Sequence, residues 1–455
     1  MINTLVIGLF VSVLSIEYLI RERGLLHPYL ILLPELLSGV AMAIVLARLM
    51  AGARVSLDWR YLAFFAALTV TMLFGFIVQD VSAGAMVAGI RAHVKFLPFF
   101  MLPAVIRFTP GQLRAQFAVL LTLFVAQAPL ALYQRFVEFA DTMQTGDPVR
   151  GTATTSSALS MVMMCGTAAV VCLYLRKKIR LPVAMCVIAI LLLPTTLNET
   201  KATLLMLPMA LIVPALVMPK GSRAAQRMLP IVIVGGVAMA AFVAVYDYLI
   251  QYSSTGQPIG QFVGETSFLR YLYSGAAEQG ANYIGRFDSL EFALQGIGGD
   301  PLTAAFGLGA GNVSPSFLPQ FDGEYADYYD RYGVGMTQIT SLLWQVGFVG
   351  LATYLLLYHF VLSDARALAR GHGELALLGQ IWVVVTVIMV FALIYKSVFS
   401  MNEIGYPFWF YSGVVAAGAA AARNARPARV AWDEPQQSSP SVAKEFGDAA
   451  ADARV

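Results

Sequence analysis

The chain has 455 residues, 58% of them hydrophobic and 13% charged, which is too apolar for a soluble domain of this length. A formal net charge of +3 gives no reason to expect nucleic acid as a partner, so positive charge has to be read by position. Repeated apolar runs of about 20 residues fit membrane-crossing helices, whereas a barrel would alternate over ten-residue segments, and the expected fold class is an all-α polytopic membrane protein.

Twelve spans are predicted, over 2–20, 28–50, 61–79, 90–106, 116–137, 157–175, 181–198, 200–218, 229–250, 336–358, 375–395 and 404–422. The first lacks a basic leading region and a small-residue cleavage site, so it reads as a retained helix. Cys165, Cys172 and Cys186 lie inside apolar runs and read as packing residues. Short cytoplasmic loops collect Lys and Arg. If the spans alternate, Arg176 to Arg180, Lys220 to Arg227, Arg366 to Arg370 and Arg423 to Arg429 share one side. With both termini on that side, 19 of the 30 basic residues are cytoplasmic and 11 face outward. The expected organisation is nine spans over 1–250, a large periplasmic loop over 251–335, three spans over 336–422 and a disordered cytoplasmic tail over 423–455, rich in Pro, Ser, Gln and Ala without periodicity.

Arg91, Lys95, Arg135, Lys201 and Lys396 fall at the outer ends of spans, with Glu199, Asp247 and Glu403 at similar depth. Charge is costly there unless it pairs or lines a wet cavity. Snorkelling or a structural ion pair explains any one of them equally well, but the group reads as an outward-open polar cavity. Arg150 opens a run of Gly, Ser and Thr that reaches Ser157 just before the sixth span, and free N–H groups and hydroxyls at a helix start suit an anion.

From Gln251 to Gly335 the chain turns polar, with nine carboxylates, three arginines, no lysine and eight tyrosines. Within it, Arg286 begins a stretch of helical spacing that puts Phe287, Leu290 and Leu294 on one face. Gly296-Ile-Gly-Gly-Asp-Pro301 and Phe306-Gly-Leu-Gly-Ala-Gly-Asn312 follow, and their glycines allow close backbone approach, either to a ligand or within a surface loop. No strand precedes them, so a nucleotide-binding fingerprint is rejected. Farther on, Asp322, Glu324, Tyr325 and Tyr328 interleave acids with aromatic rings. Such a pattern suits sugars, with carboxylates accepting from hydroxyls and rings packing on apolar sugar faces. Asp322 and Glu324 alone make a poor metal site, and none is expected.

The order of these segments over residues 60–420 resembles the Wzy-type polysaccharide polymerase and O-antigen ligase superfamily. The resemblance rests on Arg150-Gly-Thr152, on Asn198-Glu-Thr-Lys-Ala-Thr-Leu-Leu205, on Arg286-Phe-Asp-Ser-Leu290 followed by Phe306-Gly-Leu-Gly309, and on Trp344-Gln-Val-Gly-Phe-Val-Gly350. It implies a GT-C-like helical bundle in a bacterial inner membrane. It also implies a metal-independent, inverting glycosyl transfer without a cofactor, from an undecaprenyl diphosphate-linked oligosaccharide to a growing polysaccharide acceptor. Membrane lipids and a chain-length regulator or export complex are the further partners it implies. Where ligases of that superfamily carry a loop histidine this chain has Met336, Thr337 and Gln338, and His27, His93, His359 and His372 all lie outside the insert. A polymerase is therefore expected in preference to a ligase.

On that reading Arg286, Lys201, Arg150, Arg270, Arg91 and Lys95 would hold the diphosphate. The base would be a carboxylate among Glu265, Glu278, Asp288 and Glu291. A lipid-linked oligosaccharide exporter and a peptidoglycan-type polymerase are the alternatives.

Overall fold

A computed structural model describes residues 1–140, 148–218, 224–251, 258–262, 284–316 and 318–424, and among them every regular element is helical. In chain order these are α1 (Ile2–Val13), α2 (Ile16–Arg21), α3 (Leu33–Met50), α4 (Trp59–Val78), α5 (Ala83–Val94), α6 (Leu97–Val105), α7 (Pro110–Val125), α8 (Gln127–Tyr133), α9 (Ser156–Leu175), α10 (Leu181–Leu197), α11 (Thr203–Leu216) and α12 (Ala224–Ile250). The insert contributes α13 (Ile259–Phe262), α14 (Arg286–Ile297), α15 (Pro301–Phe306) and α16 (Tyr328–Arg331). The chain then forms α17 (Gln338–Ala369), α18 (Gly373–Tyr395) and α19 (Asn402–Asn424). Short 3-10 turns at Pro28–Leu32, Pro319–Phe321 and Val398–Ser400 punctuate the connectors.

Among the described residues seven helices are long and apolar enough to cross a membrane, or eight if the bent pair α5 and α6 counts as one span, which makes this a multi-pass membrane protein. Twelve is not reached by that measure, because helix length and interruption intervene. The expected span 90–106 is really α5 and α6, bent 46° at a break that holds Lys95 and is followed by Pro98. The expected spans 181–198 and 200–218 are the shorter α10 and α11, with prolines inside both. The predicted tail from 425 onward lies outside the described residues. Cys165 and Cys172 sit within α9 as expected, whereas Cys186 is exposed on α10 rather than packed in the core.

Helices α9 and α18 occupy the centre, with 83% and 78% of their apolar windows buried against 17% for α12 at the periphery. Small residues let their neighbours close in. A Cβ on Gly413 of α19 would stand 2.1 Å from the Phe100 carbonyl oxygen of α6, and one on Gly405 would meet the Phe96 ring at 2.4 Å. Around that contact Phe96 packs edge-on to Tyr406, and Phe100 packs edge-on to Trp409.

Side-chain contacts sort the helix ends into two groups. At one end Asp364, 1% exposed, accepts from Arg60 (3.0 Å), Tyr61 (2.8 Å) and Arg423 (2.8 Å). Arg176 donates there to the Gln380 side chain (2.7 Å) and to the carbonyls of Ala369, Gly371 and Ala376 around the end of α17 and start of α18. This is the basic end, where the Arg176 and Arg366 segments and Arg423 meet. The insert, Arg150 and the Glu199 turn belong to the opposite end.

Part of the insert is not a water-facing loop but a wedge in the bundle. Helix α17 breaks at Gly347 (φ 61°, ψ −164°), and the Trp344 carbonyl accepts from Leu308 N–H at 2.7 Å. A Cβ on Gly307 (φ 74°) would lie 2.7 Å from the backbone of Gln345 and Val346. Gly311 and Gly89 are similarly interlocked, since a Cβ on Gly89 would stand 2.1 Å from the Ala310 carbonyl oxygen. Gly296 of α14 leaves room for the Trp344 ring. These glycines serve close approach, as their type predicts, but the approach is to protein backbone and a ring rather than to a ligand.

Filling the wedge should unlock it. Gly89→Val forces a side chain into a backbone contact with no flexible neighbour to yield, at a cost on the order of 1–3 kcal/mol or more. Thermal unfolding of the purified protein should show a clear drop, whereas Gly8→Ala, with nothing within 4 Å of its Cβ, should leave the midpoint unchanged or slightly raised.

Candidate functional site

The connector between α18 and α19 ties the insert to the rest of its end of the bundle. Tyr395 carbonyl accepts from Arg286 Nε at 3.0 Å, and the Arg286 guanidinium lies 4.7 Å from the Tyr395 ring centre. Gln338 Oε1 accepts from Phe399 N–H at 2.8 Å and from the Ser397 hydroxyl at 3.4 Å. Asn402 Oδ1 accepts from Lys95 Nζ at 2.8 Å. Glu403, 2% exposed, accepts from the Thr154 N–H (2.9 Å) and hydroxyl (2.6 Å) through one carboxylate oxygen. Seven residues from Tyr395 to Asn402 cannot span more than ~25 Å. Arg286, Lys95 and the Arg150 segment therefore attach to one short connector.

Most of the cations predicted here have partners. Arg91 grips both oxygens of Glu35, with Nε at 2.7 Å, and its side chain is 43% exposed. Arg150 pairs with Glu22 and donates to the Thr154 carbonyl at 3.3 Å. Arg23 reaches Glu138 at 3.3 Å and lies over the Tyr133 ring. The Tyr18 and Tyr133 hydroxyls raise the Arg23 pKa further, and the Glu138 charge adds to this. Asp247 accepts from Ile259 N–H at 2.8 Å. Glu17, Glu35 and Glu403 all lie within electrostatic range of Lys95.

Arg135 is the most enclosed of these cations, its side chain 3% exposed and 2.8 Å from the Glu199 carboxyl, whose side chain is 7% exposed. The contact lacks a well-aligned hydrogen bond, for Glu199 Oε1 and Arg135 Nε have no such partner among the described residues. Glu199 also adopts φ 57°, a left-handed conformation that non-glycine residues rarely hold without support. It lies in the turn that carries Lys201, and Asn198 pins that turn to α9 through Ser156 O (2.9 Å) and Ser160 Oγ (3.0 Å).

The run after Arg150 does not present an open nest to an anion. Its N–H donors are taken by side chains: Arg150 and Gly151 donate to Gln134 Oε1 at 3.2 and 2.7 Å, Thr152 to Gln127 Oε1 at 2.8 Å, and Thr154 to Glu403. Thr337 and Gln338 are structural as well. Thr337 caps α17 by accepting from Thr340 N–H (3.1 Å), and Gln338 holds the connector.

In the insert, Asp288 sits in the first turn of α14, where burial and then the Glu291 charge raise its pKa, the Gly285 backbone opposing them. Tyr325 and Tyr328 are half-buried, with their rings 5.2 Å apart, and Tyr328 meets Trp344 at 5.8 Å. Burial, with the Glu324 charge second, raises the Tyr325 pKa. Asp322 and Glu324 are exposed, but Asp322 accepts from Ser316 N–H, and Glu324 N–H donates to Asn312 Oδ1 at 3.0 Å. The acids thus shape the loop, and the tyrosines form one wall of a small apolar cluster around Trp344. Glu265, Glu278 and Arg270 lie outside the described residues.

Two features had little signal in the sequence. Glu403 had only its depth in a span to mark it, yet it is the buried carboxylate that joins α19 to the Arg150 segment. His93 is buried between Tyr354 OH (2.9 Å) and Gln345 Oε1 (3.2 Å), and Gln345 donates to Ser341 at 2.9 Å. These three partners lie on α17 near its break. Compared with known protein families and with curated proteins, the chain matches no family model and no curated sequence.

Removing one member of the buried pair is the direct test of its structural role. Arg135→Ala leaves Glu199 charged and enclosed, and should lower stability by about 3–5 kcal/mol. The double variant Arg135→Ala/Glu199→Ala should recover much of that loss in a thermal-melt double-mutant cycle.

Proposed function

We propose that the protein is a polysaccharide polymerase of the inner membrane, of exopolysaccharide or O-antigen type. It transfers oligosaccharide units from an undecaprenyl diphosphate donor to a sugar hydroxyl on the periplasmic side. One observation carries this reading. Segments resembling the polymerase and ligase superfamily are spread from Arg150 to Gly350, yet those of Arg150 and Arg286 both meet the connector from Tyr395 to Glu403, and Leu308 packs on the Trp344 segment.

Lys95 and Arg286 donate to that connector, Arg150 holds the Thr154 segment that binds Glu403, and Arg91 lies one turn before Lys95 at the end of α5. A diphosphate is a stronger, doubly charged acceptor that can take these side chains over from carboxylates and carbonyls. Arg91 and Arg150, whose side chains are 43% and 35% exposed, suit the exchange, whereas Arg135, at 3%, holds the Glu199 turn in place. Lys201 joins the diphosphate set from that same turn, and Arg270 belongs to the set by resemblance. As charge develops on the departing diphosphate, Arg286 is the side chain that stabilises it.

Asp288 is the carboxylate best suited to take the acceptor proton, because burial and then the Glu291 charge raise its pKa and make it a stronger base. Transfer then forms the new glycosidic bond as the bond to the lipid diphosphate breaks, and Asp288 receives the hydroxyl proton. Tyr325, Tyr328, Asp322 and Glu324 line the approach for sugar. A ligase-type reaction is the weaker reading, since Thr337 and Gln338 are committed to capping and to the connector.

Two experiments test this assignment. Arg286→Ala should reduce transfer from a purified lipid-linked oligosaccharide by about a hundred- to a thousand-fold, with protein abundance unchanged; undiminished polymer would remove Arg286 from the reaction. Because Asp288 must be ionised to act, activity should fall with falling pH through a limb above the ordinary aspartate value of about 3.9. Asp288→Asn should abolish that limb and slow turnover by about 10²–10⁴-fold in a pH–rate profile.

A further inference from the structure

The basic end carries a cavity and a seam that play no part in the proposed reaction. The cavity, about 620 Å³, lies beside the starts of α7 and α18 and the end of α19, with Arg54, Arg107 and His372 on its walls and Phe108, Leu113 and Val414 below them. It shares Leu113 and Glu374 with a second cavity of about 390 Å³ between α7 and α18, where Arg114 and Lys178 also lie. That second cavity shares Phe117, Leu121, Ile381 and Tyr411 with a mostly apolar pocket of about 60 Å³ that continues to Phe124 and reaches Glu403. The three together form a continuous seam that leads from a basic mouth into the apolar part of the bundle.

The charges in the mouth are unbalanced. Glu374 is the carboxylate there, and it is engaged by Lys178 at 3.0 Å and Arg114 at 3.9 Å. Arg54 and Arg107 are exposed, and among the described residues neither has a carboxylate within ion-pair distance. Two guanidinium groups that meet no carboxylate among the described residues, above an apolar floor, match a phosphate joined to a hydrocarbon chain. From Leu113 to Phe124 the seam follows α7 for roughly 17 Å at 1.5 Å per residue. One leaflet's hydrocarbon is ~15 Å deep, half of a ~30 Å core, so a single acyl chain fits its length.

We propose that this is a binding site for an anionic phospholipid, with the headgroup phosphate on Arg54 and Arg107 and one acyl chain in the seam between α7 and α18. The site is separate from the diphosphate chemistry at the other end. It would anchor the connectors at the basic end to the charged leaflet and keep α7 seated against α18. Basic pockets between membrane helices on the cytoplasmic side are a recurrent solution for anionic lipid headgroups.

The test uses the full-length protein, purified and delipidated, with retained lipid counted by native mass spectrometry and thermal stability measured in parallel. Phosphatidylglycerol should be retained and should raise the midpoint more than phosphatidylcholine does. Arg54→Ala/Arg107→Ala should cut the preference for phosphatidylglycerol by about 30-fold. Ala118 is exposed and lines the seam, so Ala118→Trp should block the chain and lower phosphatidylglycerol retention with both arginines intact. Equal retention of the two lipids would overturn the proposal, as would an unchanged preference in the double variant. A shift produced by inorganic phosphate alone, and not exceeded by phosphatidylglycerol, would also overturn it by making this a free-anion site.

Discussion

Backbone meets backbone at Gly307 and Gly347, and the placement of the insert depends on that contact. A helix within a membrane cannot leave carbonyls and amides without partners, because no water is present to take them. The break in α17 would expose such groups, and Leu308 N–H fills one of them by donating to the Trp344 carbonyl. Only glycine permits the two chains to come this close and tolerates the positive φ on both sides. The same economy recurs at Gly89 with Gly311 and at Gly413 with Phe100, so small residues knit the insert and the helices into one packed body.

Once the insert is wedged in place, the remaining polar chemistry at that end follows from the cost of charge near hydrocarbon. Arg91, Arg135 and Arg150 each meet a carboxylate, and Lys95 meets the Asn402 amide with Glu403 next along the chain. Their exposure separates them. The enclosed Arg135 with Glu199 is committed to architecture, whereas the half-exposed pairs hold guanidinium groups in position while leaving them able to change partners. This is an arrangement suited to a ligand that arrives with more negative charge than the resident acids.

How much of this was legible varies with the element. Hydropathy is a local property, so the helical class and the approximate positions of the spans could be read from runs of apolar residues. Helix length and interruption are less local: α5 and α6 bend at Lys95, and α10 and α11 carry prolines, so the described helices that meet the measure of spanning length number seven or eight. The glycine-rich segments were recognisable as places of close approach, but residue type could not tell a ligand from another backbone. The N–H groups after Arg150 looked available because Gln127, Gln134 and Glu403, their acceptors, are scattered along the chain.

By itself, the sequence determined that this chain forms apolar helices, that basic residues gather in particular connectors, and that a polar insert rich in tyrosine interrupts the spans. Composition and spacing suffice for those features, because each depends on neighbours within a helix length. Which charge pairs with which, where α17 breaks and what the glycines touch were decided by tertiary structure alone. Those outcomes rest on distances between residues such as Thr154 and Glu403 or Lys95 and Asn402, separated by hundreds of positions. A buried charge or amide takes the partner that folding brings to it, and no local pattern encodes that partner.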